Sequence, residues 1–387
     1  MKLIYMDHSA TTPVDPEVFE AMIPYYTSEY GNPSSLHTKG RAAKKAMEKA
    51  RDQVAALLNA DPREVYFTSG GTEADNQAIL SYMRSNAHKG RHLITSAIEH
   101  HAVLDTCEYL QKNGFELTVL PVNSFGLVDP EVLKKELRPD TILVTIMHAN
   151  NEIGTVQPIS MLAEIAHQAG AAFHTDAVQT VGKLPINVKN MGIDMLSASS
   201  HKIYGPKGIG CLFIKKGTKI ESLLHGGGQE NKMRSGTENI PGIVGFGQAA
   251  ELAESRVLET SNYLNGLGNK LRDGILEKIP NTIPTGDLKN RVPGSVSVCF
   301  KFVEGESILL MLDSYGIMAS SGSACTSSSL EPSHVLLALG LPHEIAHGSL
   351  RLTLGKDNTA QDVDFVLEVL PKIIGNLRGM SPLFSKK

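Results

Sequence analysis

Two charged residues sit where a chain rarely leaves charge unexplained. Lys202 stands in "LSASSHKIYGPKGIG", just past an apolar run, with Gly205 and Gly208 following. A lone lysine is normally a solvated surface charge. Wrapped in small residues at the end of a central strand, it would instead favour a neutral amine with a usable lone pair. Asp176 ends another apolar run in "AAFHTDAVQ", with Gln179 three residues on. A carboxylate at a buried strand end must be paired or must cap a helix, and capping is the commoner reason. Asp176 alone decides nothing.

Two further stretches complete an inventory. "TSGGTEADN" follows the apolar "EVYF" and opens a helical pattern, with Gly70 and Gly71 allowing close backbone approach and Thr72 able to cap. A helix start of this kind offers free N–H groups to an anion. His100, in "SAIEHHAV", is a planar group that again follows a strand-like run. Lysine, carboxylate, anion nest and flat ring are what pyridoxal 5'-phosphate requires: a covalent anchor, a partner for its pyridinium nitrogen, a phosphate seat and a stacking surface.

Other chemistries lose ground. No G-x-x-x-x-G-K-[ST] and no G-x-G-x-x-G occurs in the chain. Ser199 to Lys202 satisfies S-x-x-K, but the S-D-N and K-T-G elements that should accompany it are absent, as is a G-x-S-x-G elbow. Cys107, Cys211 and Cys299 lie in apolar or helix-like runs and read as small core residues. Cys325 differs. It sits in "SSGSACTSSSLEPS", a stretch too polar and too small for a core element, where a thiol is accessible to reaction.

The elements that must position these residues follow from periodicity. Strand-like runs ("EVYFTS", "HLITSA", "TILVTIM", "AAFHTD", "MLSAS", "GCLFI") alternate with helical ones such as Gly40 to Ala60, "TEADNQAILSYMRSN" and "PISMLAEIAHQAG". Alternation of this kind predicts an α/β fold with a mostly parallel central sheet. Beyond residue 250 a long helical pattern leads into "GSVSVCF" and "SLRLTL", which reads as a smaller α+β unit. In open α/β sheets the chemistry collects outside the carboxyl ends of the strands, where Asp176 and Lys202 fall. With 387 residues, 41% hydrophobic and 20% charged, and a net charge of −4, the chain has ordinary globular composition and no basic surface for nucleic acid. No apolar run reaches the roughly 18 residues of a membrane span, and the N-terminus lacks a signal-peptide core, so a cytoplasmic protein is expected.

The motifs "MDHSATTPVDPEV", "YGNPSSLH", "FTSGGTEADN", "EHHAVLDTC", "HANNEIGTVQPI", "HTDAVQTVGK", "SSHKIYGPKGIG", "RSGTEN", "ASSGSACTSSSLEPSHVL" and "SLRLTLG" occur in this order along nearly the whole chain. In them the sequence resembles the NifS/IscS-type cysteine desulfurases of the class-V aminotransferase family. These are pyridoxal-phosphate enzymes of fold type I, the aspartate-aminotransferase-like fold. The serine-rich stretch around Cys325 is similar to that of the long-loop group. The short-loop group, with its R-x-G-H-H-C pattern, does not fit.

The resemblance implies a large cofactor-binding domain over residues 16–258, with residues 1–15 and 259–387 forming a small domain that carries a mobile segment at about 320–333. It implies Lys202 as covalent anchor, Asp176 facing the pyridine nitrogen and Gln179 the ring hydroxyl. His100 would stack on the ring and assist proton transfer. Gly71, Thr72, Ser199 and His201 would hold the phosphate, joined by Thr237 of a neighbouring copy in a homodimer. Asn151 would border cofactor and substrate, and with Arg351 would grip the substrate carboxylate. Arginine suits that task through its planar, bidentate fork. Sulfur from L-cysteine would pass to Cys325 as a persulfide. From there it would go to an iron–sulfur scaffold of the IscU type and other acceptors, tRNA thiolation among the uses. No resident metal is implied, although Cys325 persulfide could transiently ligate a [2Fe–2S] cluster. A selenocysteine or cystine lyase, an aminotransferase needing no thiol, and a catalytically silent scaffold are the competing readings.

Overall fold

A computed structural model describes residues 2–321, 332–382 and 384. Among them, twelve strands run in chain order: β1 (Ile4–Tyr5), β2 (Val65–Thr68), β3 (His92–Ser96), β4 (Glu116–Leu120), β5 (Thr141–Thr145), β6 (Ala172–Asp176), β7 (Met195–Ser199), β8 (Gly210–Ile214), β9 (Thr282–Pro284), β10 (Ser295–Phe300), β11 (Ile317–Met318) and β12 (Ser349–Thr353). Seven of them form one sheet in the order β2-β8-β7-β6-β5-β3-β4. β8 is antiparallel to both of its neighbours, and all other pairs among β7, β6, β5, β3 and β4 are parallel. β2 therefore runs with β7. The ends of β2, β3, β5, β6 and β7 all open at one edge of the sheet, beside the start of the reversed β8. Strands β3, β5, β7 and β8 are buried at every residue, as a sheet covered on both faces demands.

The helix expected from Gly40 to Ala60 runs Thr38–Leu58. The His37 ring accepts from the Gly40 amide at its start, and Asn59 closes it in the left-handed conformation. Its buried face, including Ala43, Met47, Ala50 and Val54, packs on the long helix Ile240–Lys278. That crossing is close. A Cβ on Gly247 would lie 2.6 Å from the Cα of Ala50, so the long helix needs glycine there.

The long helix also joins two hydrophobic cores. Its Phe246, Ala249 and Ala250 enter the core beneath the large sheet with Phe173 and Phe213. Leu264, Leu267, Leu271 and Ile275 enter a second core with Phe300, Leu350 and Leu352 of the antiparallel sheet β12-β10-β9. Residue 258 lies between these two sets on the same helix. β1 pairs with β11, and the chain then continues past a bridge between Asp7 and Thr353 toward the edge of the large sheet. Among the described residues no helix is long and apolar enough to cross a membrane.

Candidate active site

Strands β3, β5, β6 and β7 lead to polar side chains at the shared edge. β6 ends in Asp176 and β7 in Ser199, followed by the single turn Ser200–Lys202. β3 leads to Glu99 and His100, and β5 leads to Asn150 and Asn151. At this edge a cavity of about 320 Å³ brings together Ser9, Ala10, Gly71, Thr72, Asp75, His100, Asn151, Asp176, Gln179, Ser199, His201, Lys202 and Arg351. Nearly every site residue expected from the sequence is among them.

Lys202 is held by backbone. Its ammonium donates to the carbonyls of Ser9 and Ala10, which the N-terminal segment carries across from the smaller sheet. That segment is pinned in turn: the Ser9 amide donates to the Thr353 hydroxyl at 2.9 Å, and the His8 ring contacts the Thr353 carbonyl at 3.0 Å. Asp176 accepts the Val178 amide at 2.9 Å. Burial raises its pKa, and the Val178 amide and the Lys202 charge pull the other way.

His100 caps the helix His101–Lys112, its Nδ1 accepting the Ala102 amide at 3.1 Å. Burial lowers its pKa. The neutral ring therefore carries its hydrogen on Nε2. The carboxyl of Glu99 next to it is pushed up to about 8 by burial, and it accepts from the Ser96 hydroxyl and the Met147 amide. His201 contacts the Thr11 hydroxyl at 3.1 Å, and burial with nearby lysines lowers it to about 4. Gln179 donates to the Ser9 carbonyl at 3.0 Å.

Gly71 begins a continuous helical run to residue 86 that contains a π-turn over Gln77–Ser81. A Cβ on Gly71 would lie 2.7 Å from Cγ2 of Val178, so the cavity wall closes on the glycine itself. Arg351, on β12, is buried. One of its terminal nitrogens bonds Asp7 Oδ1 at 2.8 Å and the other the Asn151 carbonyl at 3.1 Å. Its Nε has no hydrogen-bond partner among the described residues. A buried guanidinium that lines the cavity and keeps one N–H unsatisfied is suited to an incoming carboxylate.

Two expected residues do not join this cavity. Thr237 lies on a separate groove with Ser69, Gly208, Arg234 and Asn239. Cys325 lies outside the described residues. Cys107, Cys211 and Cys299 are buried free thiols, and burial pushes the latter two up to about 12, as inert core cysteines should be. Ser9, Ala10 and Asp75 line the cavity without being expected from the sequence. The first two contribute backbone carbonyls, which no residue type announces. Asp75 was within reach, because it lies one helical turn after Gly71 on the same face.

Residues 4–366 match the family described as aminotransferase class-V. The chain belongs to that family. It is 56% identical over 386 residues to "Cysteine desulfurase IscS" of Methanosarcina thermophila, covering 100% of this chain and 95% of that protein. It is 52% identical over 385 residues to the protein of the same description from Clostridium botulinum, covering 99% and 97%. A solved structure described as "NIFS-LIKE PROTEIN" superposes with a TM-score of 0.91 at 40% identity, covering 97% of this chain and 100% of that one. Another, "SspA in complex with cysteine", gives 0.79 at 37% identity, covering 91% and 98%. The NifS-like neighbours bear out the fold class read from the sequence.

Class-V aminotransferases use pyridoxal 5'-phosphate. The cavity fits that group. It offers a wall that a single Cβ at Gly71 would obstruct, a buried carboxylate, a lysine amine and a neutral imidazole within one enclosure.

Proposed function

We propose that this chain is a cysteine desulfurase. It removes sulfur from L-cysteine, leaves L-alanine, and takes the sulfur on Cys325 as a persulfide. The observation that carries the reading is the shared cavity. Lys202, Asp176, neutral His100 and the partly unsatisfied Arg351 face one space, in a chain of the class-V family.

Lys202 would anchor the cofactor, Asp176 would face its ring nitrogen and Gln179 its ring hydroxyl. Gly71, Thr72, Ser199 and His201 would hold the phosphate. When bound, pyridoxal phosphate supplies an electron sink for the substrate's Cα. Arg351 and Asn151 fix the substrate carboxylate, and the Asp7 contact keeps the Arg351 fork oriented. The amine of Lys202 takes the α-proton. His100 presents Nε2–H as a proton donor, because its Nδ1 is occupied by the Ala102 amide. The step balances: Cys325 attacks the substrate sulfur as a thiolate, and the S–S bond forms as the C–S bond breaks with its electron pair left on Cβ. Cβ takes a proton in place of the one the thiol lost, and Lys202 returns the α-proton.

Thr237 lies outside the Lys202 cavity, which supports its assignment to the phosphate of a second copy in a homodimer. Acceptors of the persulfide are an iron–sulfur scaffold of the IscU type and other sulfur carriers. Three inert thiols and a reactive fourth suit a reducing cytoplasm. The test is incubation with sulfur-labelled L-cysteine, followed by mass spectrometry of the protein. Alanine and a persulfide on Cys325 are expected, with Cys325→Ser forming neither persulfide nor transferable sulfur. Full sulfur transfer by Cys325→Ser would sink the reading.

A further inference from the structure

The cavity holds a second carboxyl that the reaction above does not use. Asp75 and Asp176 are both buried and both line it. Asp176 has what an ionised carboxylate needs: the Val178 amide and the opposing charge of Lys202. Asp75 is served less well. Its Oδ1 lacks a hydrogen-bond partner among the described residues. The ring nitrogen Nε2 of His174 is 3.7 Å away. That nitrogen is engaged with the Ser197 hydroxyl at 3.0 Å, while His174 Nδ1 meets the Thr145 hydroxyl at 2.8 Å. Burial holds His174 neutral, with its pKa lowered to about 3, so it supplies no counter-charge.

Two buried carboxylates cannot both stay ionised when the opposing cation, Lys202, serves Asp176. We propose that Asp75 is a positioning residue, a neutral carboxylic acid that leaves Asp176 as the single negative charge facing the cofactor site. The proposal rests on the reading of Asp176 as partner of the ring nitrogen. The groups facing Asp75 are Asp176 and His174 on β6, Ser197 on β7 and Glu99 after β3; the Ser197 hydroxyl favours its ionised form and the two carboxyls oppose it. Burial is the largest influence and raises its pKa well above the carboxylate range.

The experiment compares Asp75→Asn, Asp75→Ala and Asp176→Asn. One readout is the affinity of the cofactor-free protein for pyridoxal phosphate, followed by visible absorption. The other is the infrared carbonyl stretch of protonated carboxyls in the cofactor-free protein. An amide replaces a neutral acid without changing charge, so Asp75→Asn should bind within about 3-fold of wild type, while Asp176→Asn loses about 100-fold or more. Asp75→Ala should bind more weakly than Asp75→Asn, because it loses the polar contact as well as the volume. One protonated-carboxyl component should vanish in Asp75→Asn and persist in Asp176→Asn. Glu99 and Glu152 add protonated-carboxyl signals of their own, so the component is assigned by its loss in Asp75→Asn, and Asp75→Ala should lose the same component.

A loss in Asp75→Asn equal to that in Asp176→Asn, with no infrared component removed, overturns the proposal. An Asp176→Asn variant that binds the cofactor normally overturns the underlying reading of Asp176 instead.

Discussion

The hydroxyl of Ser333 donates to the buried carboxyl of Glu152 and at the same time caps the helix His334–Ala338, accepting the amides of Val335 and Leu336. Glu152 directly follows Asn151, whose carbonyl is bonded by Arg351. Ser333, eight residues after Cys325 in sequence, is thus tied to the segment proposed to hold the substrate.

Burial pushes the Glu152 carboxyl up to about 7, while the Ser333 hydroxyl and the Arg351 charge pull it down. In the unfolded chain it ionises near 4.5, so folding retains a proton between the two values. Stability therefore falls as pH rises through that window, and the loss is complete above about 7. Glu152→Gln keeps an acceptor for Ser333 and cannot ionise. It should melt higher than wild type at about pH 8.5, with the difference shrinking toward about pH 5. Glu152→Ala leaves the Ser333 hydroxyl without its acceptor and should lose about 1–3 kcal/mol. Thermal unfolding of the three proteins across pH decides, and equal melting of wild type and Glu152→Gln at alkaline pH counts against the assignment.

Removing Lys202 separates anchoring from folding. Its ammonium bonds two backbone carbonyls, and losing such bonds is a modest change beside the two hydrophobic cores, so Lys202→Ala should melt within a few degrees of wild type. It should nevertheless remain colourless after incubation with pyridoxal phosphate and release no sulfide from L-cysteine. A borohydride-trapped adduct on another lysine, located by peptide mapping, would contradict the role.

Arg351→Lys tests geometry at constant charge. The guanidinium lines the cavity while bonding Asp7 and the Asn151 carbonyl, and a single ammonium cannot keep both bonds and also meet a carboxylate with a planar fork. The substrate carboxylate should lose its bidentate contact, raising KM for L-cysteine by about 10- to 100-fold with a smaller change in kcat. Steady-state kinetics with alanine as the measured product give the split. An unchanged KM would remove Arg351 from substrate binding.

Much of this site is legible in the residues themselves, because Asp176, Lys202 and His100 each lie at or just past an apolar run that reads as a strand of a covered sheet. None of the three decides alone; it is their combination with the glycine-rich helix start that points to the cofactor. β4 is different. It is an edge strand with only Leu120 buried, so Glu116–Leu120 has neither a continuous apolar run nor a clean alternation to mark it. The strap across Lys202 also escapes, because backbone carbonyls of Ser9 and Ala10 act across about 190 residues of chain, and backbone acceptors leave no trace in residue type. Asp75 lies inside a legible motif, yet its burial beside a second carboxyl is a fact of packing rather than of pattern.

The tightest steric demand in the cavity falls on Gly71. An alanine there would bring its Cβ to 2.7 Å from Cγ2 of Val178, shorter than carbon atoms tolerate, and the residue begins the helical run that faces the proposed phosphate seat. Either Val178 moves, disturbing the amide it donates to Asp176, or the start of the helix moves away from Ser199. Both outcomes damage the cofactor site, so Gly71→Ala should weaken pyridoxal phosphate binding by about 10-fold or more and cost about 1–3 kcal/mol through overpacking. The cause can be isolated, because Val178→Ala removes the opposing methyl groups. The double variant should recover most of the lost affinity, read by fluorescence quenching or visible titration, even though each substitution alone weakens binding. If the second substitution only adds to the defect of the first, the contact between these two side chains is not what the glycine relieves.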